Sequence, residues 1–137
     1  MFFFNNEFLK KIFYKKLFLK LINISVFKNI LIFINFTNLF NTFLLNKKYK
    51  LKKNITDCLT FNYYKKSYIF LSYSFINRKS EINKLKITFL IFYYILHCFM
   101  HIQNLKDNKI KKIKKIFFLQ KKILIKYGFF LKNIYRL

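Results

Sequence analysis

Two stretches of the chain, residues 29–46 and 87–105, contain no Asp, Glu, Lys or Arg, while lysine recurs every few positions elsewhere. The second stretch is dense in Phe, Ile, Leu and Tyr, and its length matches the roughly 20 residues a helix needs to cross about 30 Å of hydrocarbon. Tyr93 and Tyr94 lie near its centre, not at the ends where an interfacial aromatic belt belongs. The first stretch is interrupted by Asn29, Asn35, Asn38, Asn41 and Asn46. On a helix, Asn35, Asn38, Asn41 and Thr42 would gather loosely on one side, where a second membrane helix could exchange hydrogen bonds with them. The pattern predicts one or two transmembrane helices, at 87–105 and 29–46.

Between these runs, residues 47–66 read as a basic loop, and residues 59–76 carry the aromatic, Thr and Ser content of a short β-hairpin turning at Lys65-Lys66-Ser67. No Gly specifies that turn. Residues 8–22 read as a helix without a clean apolar face, because their lysines scatter around the wheel. Residues 109–126 have the clearest helical period. Ile110, Ile113, Ile116, Phe117, Ile123 and Leu124 gather on one side, and Lys111, Lys114, Lys115, Lys121, Lys122 and Lys126 on the other. A basic amphipathic helix after an apolar run is the form of a segment lying on anionic headgroups, so those six lysines are the expected anionic-surface contacts.

Composition changes how much these patterns mean. Phe, Ile, Leu, Lys, Asn and Tyr dominate, with no Pro, one Gly and two Arg, as expected of codons made only of A and T. Such an alphabet imitates apolar spans and lysine patches together, and admits a drifting or spurious reading frame from an AT-rich genome. Tight turns must lean on Asn, which tolerates left-handed backbone better than most residues. The net charge of +24 calls for an anionic partner, lipid headgroups or nucleic acid. With lysine far outnumbering arginine, whose fork reads phosphate and guanine edges, lipid is favoured. Tyr63-Tyr64-Lys65-Lys66 nevertheless holds the ingredients of a single-strand RNA platform, rings for stacking and cations for phosphate.

Little in the chain suggests catalysis. Its four acidic residues, Glu7, Asp57, Glu81 and Asp107, are far apart, and one Gly allows no phosphate-cradling loop. His97 and His101 share a helix face and could ligate one metal ion or a haem iron with help from elsewhere. The metalloprotease pattern is not met, since Cys98 stands where Glu is required. Cys58 and Cys98 form no metal-type pair. The expectation is therefore a mainly α, small membrane-associated protein, a single unit over 1–137, with no enzymatic activity, metal or cofactor. Its partner would be an anionic bilayer, and a two-pass topology would put both termini on the cytosolic, matrix or stromal side. The alternative is a diverged, organelle-encoded RNA-binding or ribosomal protein using lysines against phosphate.

Overall fold

In the computed structural model, which describes residues 2–4, 30–52, 54–102 and 110–126, the described elements run two strands, a helix, two strands and then three helices. Strands are β1 (Phe2–Phe4), β2 (Leu31–Thr37), β3 (Cys58–Tyr63) and β4 (Lys66–Ser72); helices are α1 (Leu39–Lys50), α2 (Tyr73–Asn83), α3 (Ile87–Ile102) and α4 (Ile110–Lys126). The sheet order is β1-β2-β4-β3, with β1, β2 and β4 parallel and β3 antiparallel to β4.

The register sorts side chains between two faces. Ile32, Ile34 and Phe36 align with Ser67, Ile69 and Leu71, which in turn face Asn62, Thr60 and Cys58. This set points toward α3, and Ile32, Ile34, Ile69 and Leu71 are completely buried. The opposite face carries Phe33, Tyr68, Phe70, Phe61 and Tyr63, with α1 packed over part of it.

Residues 29–46 are not a span. β-Branched alternation makes Leu31–Thr37 a strand, and Asn38 then stops it. The Asn38 backbone is extended and its side-chain oxygen accepts from the Asn41 amide at 2.8 Å, which starts α1. Of the stripe read as a helix face, Asn38 instead caps α1, and Asn46, farther along the run, donates to the Asn54 carbonyl at 2.8 Å.

Within 87–105 the described helix is Ile87–Ile102, and its sixteen residues rise about 24 Å, less than the roughly 30 Å of a hydrocarbon core. The cover for their apolar surface is protein. Every residue from Phe89 to Leu96 is buried, against the sheet on one side and against α2 and α4 on others. Among the described residues no helix is long and apolar enough to cross a membrane. The expectation of a mainly α membrane protein is corrected accordingly: the fold is α/β, built on a mixed sheet.

The hairpin turns at Tyr64 and Lys65, one residue before the expected site, and residues 73–76 belong to α2. Helix α4 lays Ile116, Gln120 and Leu124, successive i+4 positions, into the core beside α3, while Phe117 and Phe118 remain exposed. Left-handed backbone is taken by Leu51, Tyr64 and Lys84 at φ 54°, 45° and 51°. Asn fills none of them, so the scarcity of Gly was met by strain of about 1 kcal/mol or more at each.

Candidate active site

A groove of about 600 Å3 opens where the end of α1, the chain leading into β3 and the C-terminal part of α3 converge. His97, His101, Asp57, Cys58, Thr60, Lys50 and Lys52 are among the residues that line it. Helical spacing of four residues puts the two imidazoles together, with ring centres 4.7 Å apart and edge-on. Their Nε2 atoms approach to 3.0 Å.

The rings are held from behind. Gln120 of α4 is almost fully buried, its amide NH2 donating to the Tyr93 carbonyl at 3.3 Å. That leaves its carbonyl oxygen toward His97 Nδ1 at 3.5 Å, which favours the tautomer protonated at Nδ1, with the His97 Nε2 lone pair accepting from His101 Nε2–H. Across the groove, Asn62 donates to the His101 carbonyl at 3.4 Å and accepts from the Ser67 hydroxyl at 3.1 Å.

The chain leading into β3, which also lines the groove, is fixed by Asp57. One carboxylate oxygen accepts from the Cys58 amide at 2.9 Å, and the other faces Lys79 Nζ at 3.8 Å, which also donates to the Tyr94 hydroxyl at 2.9 Å. Burial, then the negative charge of Asp57, raises the Tyr94 phenol well above its ordinary range, and the same causes push Tyr93 up to about 12. A hydrogen bond to Cys98, reinforced by burial, raises the Cys58 thiol well above its ordinary value. A thiol held protonated is a poor nucleophile, so chemistry in the groove falls to the imidazoles and to Asp57.

Two nitrogens 3.0 Å apart, each about 2.1 Å from a shared ion, subtend roughly a right angle at it, so the pair fits two positions of a metal's coordination sphere. Among the described residues no group of three or more His, Cys, Asp or Glu is placed to hold an ion. Of the lysines expected to meet headgroups, Lys114 and Lys122 are exposed, Lys121 is half-buried, and none of the three lines the groove. The side chains of Lys111, Lys115 and Lys126 lie outside the described residues. Sequence reasoning missed Gln120 and Asp57. Gln120 did leave a signal, a lone amide midway between Ile116 and Leu124 on an otherwise apolar stripe.

The family model described as endoribonuclease YbeY matches residues 4–128. The chain belongs to the YbeY family. A fold likeness accompanies it: TM1509 from Thermotoga maritima, known from a solution structure, superposes with a TM-score of 0.55 at 13% identity, over 93% of this chain and 91% of that one. No curated protein matches the chain. Membership in YbeY corrects several expectations together. A family match over nearly the whole length is not what a spurious frame produces, and an endoribonuclease family overturns the expectation of no enzyme. It makes RNA, not a lipid bilayer, the anionic partner, and the RNA alternative fits better than the membrane reading. With no described helix able to span, the membrane location and its two-pass topology are corrected as well.

Proposed function

We propose that this chain is an endoribonuclease whose scissile phosphodiester sits in the groove beside His97 and His101. Lys50 and Lys52, which line the groove together with Asp57, supply positive charge for the RNA backbone. The observation that carries the reading is an Nε2–Nε2 approach of 3.0 Å lining a groove of about 600 Å3 in a chain belonging to an endoribonuclease family.

The pair is best read as two ligands of one divalent ion: Gln120 holds the His97 tautomer, and binding the ion would replace the hydrogen bond that His101 Nε2–H donates to His97 Nε2. Further coordination would come from water or substrate. Such an ion supplies a Lewis acid for the phosphoryl oxygen and a more acidic bound water. The protein's own part is to orient the imidazoles, draw in the backbone phosphates and present the Asp57 carboxylate in the same groove.

The test is cleavage of an unstructured fluorophore–quencher RNA by the full chain. Replacing His97 or His101 by Ala should abolish cleavage, and dialysis against a chelator should do the same, with recovery on adding Zn2+. Gln120→Leu should weaken Zn2+ binding about 10- to 100-fold while the protein stays folded. Cleavage that survives both histidine substitutions would refute the proposal.

A further inference from the structure

The face of the sheet turned away from α3 carries an aromatic cleft that the groove chemistry does not use. Phe61 and Tyr63 of β3, Tyr68 and Phe70 of β4, and Leu45 and Tyr49 of α1 enclose about 200 Å3, room for a nucleobase. Its rings touch edge-on: Tyr49 and Phe61 at 5.4 Å, Phe61 and Phe70 at 5.9 Å, Tyr63 and Tyr68 at 6.0 Å. Tyr49 and Tyr63 are each about half exposed, at 53% and 55%. Aromatic surface left open in this way, next to a site, marks a place where something binds.

Charge identifies the occupant. Lys48 lies 5.2 Å from the Tyr49 ring centre, Lys50 5.6 Å from that of Phe61, and Lys65 5.5 Å from that of Tyr64. Between Leu39 and Ser72 the sequence holds a single acidic residue, Asp57, and that one belongs to the groove. Cations interleaved with open rings suit a ligand that alternates phosphates with flat bases.

Position ties this cleft to the groove. β3 is an edge strand, and along it Asn62 points to the histidine side while Phe61 and Tyr63 point to the aromatic side. Lys50 lines the groove and also lies over Phe61. Resting on the endoribonuclease reading, we propose that the cleft is a second RNA subsite: unpaired bases flanking the cleaved bond pass around the β3 edge and stack on Tyr63 and Tyr49, their phosphates against Lys48 and Lys65. The subsite makes the enzyme prefer unpaired RNA, because a duplex cannot offer a base face to the cleft.

The experiment measures binding apart from cleavage. In the full-length His97→Ala background, fluorescence anisotropy with a labelled unstructured RNA should show affinity falling about tenfold or more in Tyr63→Ala, with a similar loss in Tyr49→Ala. Tyr63→Phe should retain affinity, and binding to an RNA duplex should not change in any of the three. In the His97-containing protein, Tyr63→Ala should raise KM for a long unpaired RNA while leaving kcat unchanged. Equal binding by the alanine variants would overturn the subsite even where the parent protein cleaves RNA. A loss of affinity in a chain that cleaves nothing would sustain the subsite and defeat the endoribonuclease reading. Tyrosine-dependent binding to phosphatidylserine vesicles, with none to RNA, would also overturn it.

Discussion

On one face of the sheet, Ile32, Ile34, Ile69 and Leu71 meet the long helix α3 and are closed off completely. On the other, Phe61, Tyr63, Tyr68 and Phe70 meet the shorter α1, which leaves Tyr63 and Tyr49 open. Both faces come from the same restricted alphabet. What separates them is cover, since a ring under a tightly packed helix contributes to stability and one under a partial roof remains available to a ligand. The histidine groove lies at the border, where α3 emerges from the closed side.

The sharpest contrast should come from truncating one residue on each side. Leu96, completely buried in α3, should cost about 2–5 kcal/mol when replaced by Ala, read as a lower denaturant midpoint. Tyr63→Ala should stay within about 0.5 kcal/mol of the parent. Comparable losses would mean that the aromatic face is as structural as the core.

Alkaline titration sharpens the closed side next. Tyr93 is buried and its phenol is raised from 10 to about 12, so the neutral ring is favoured in the folded state. Its contribution is complete below pH 10 and is lost as pH rises toward 12, on the order of 3 kcal/mol. The unfolding midpoint should fall across that window, and Tyr93→Phe should flatten the fall. An unchanged pH slope in the variant would remove Tyr93 from the account.

Smaller effects lie at the connections that position the two faces. Asn38→Ala, which removes the α1 cap, should cost about 1 kcal/mol by thermal unfolding. Lys84→Gly should stabilise by about the same amount, because Lys84 holds φ 51° where Gly carries no penalty. A destabilised Gly variant would show that the left-handed turn is not strained.

Part of this architecture could be read directly from the residues. The i+4 stripe of Ile116 and Leu124, the hairpin-forming content around Lys65 and the shared face of His97 and His101 are local patterns, and local patterns survive folding. The uncharged runs misled because hydropathy reports that apolar surface must be covered without saying by what. In 87–105 the cover is a sheet assembled from residues at least fifteen positions earlier along the chain. In 29–46, Asn38 ends a strand and starts a helix, a change of element that a spanning-length window averages away. The site was half visible for the same reason. Asp57, Gln120 and Lys50 reach the histidines only through long-range packing, and with few acids and one Gly no motif announced them.

The central claim is that the groove at His97 and His101 cleaves RNA, and purified full-length protein incubated with an unstructured fluorophore–quencher RNA tests it most directly. The account predicts internal cleavage by the parent protein and loss of at least a hundredfold in His97→Ala, with the variant's circular dichroism melt unchanged. Equal cleavage by parent and variant, or none by the folded parent supplied with Zn2+, would contradict it.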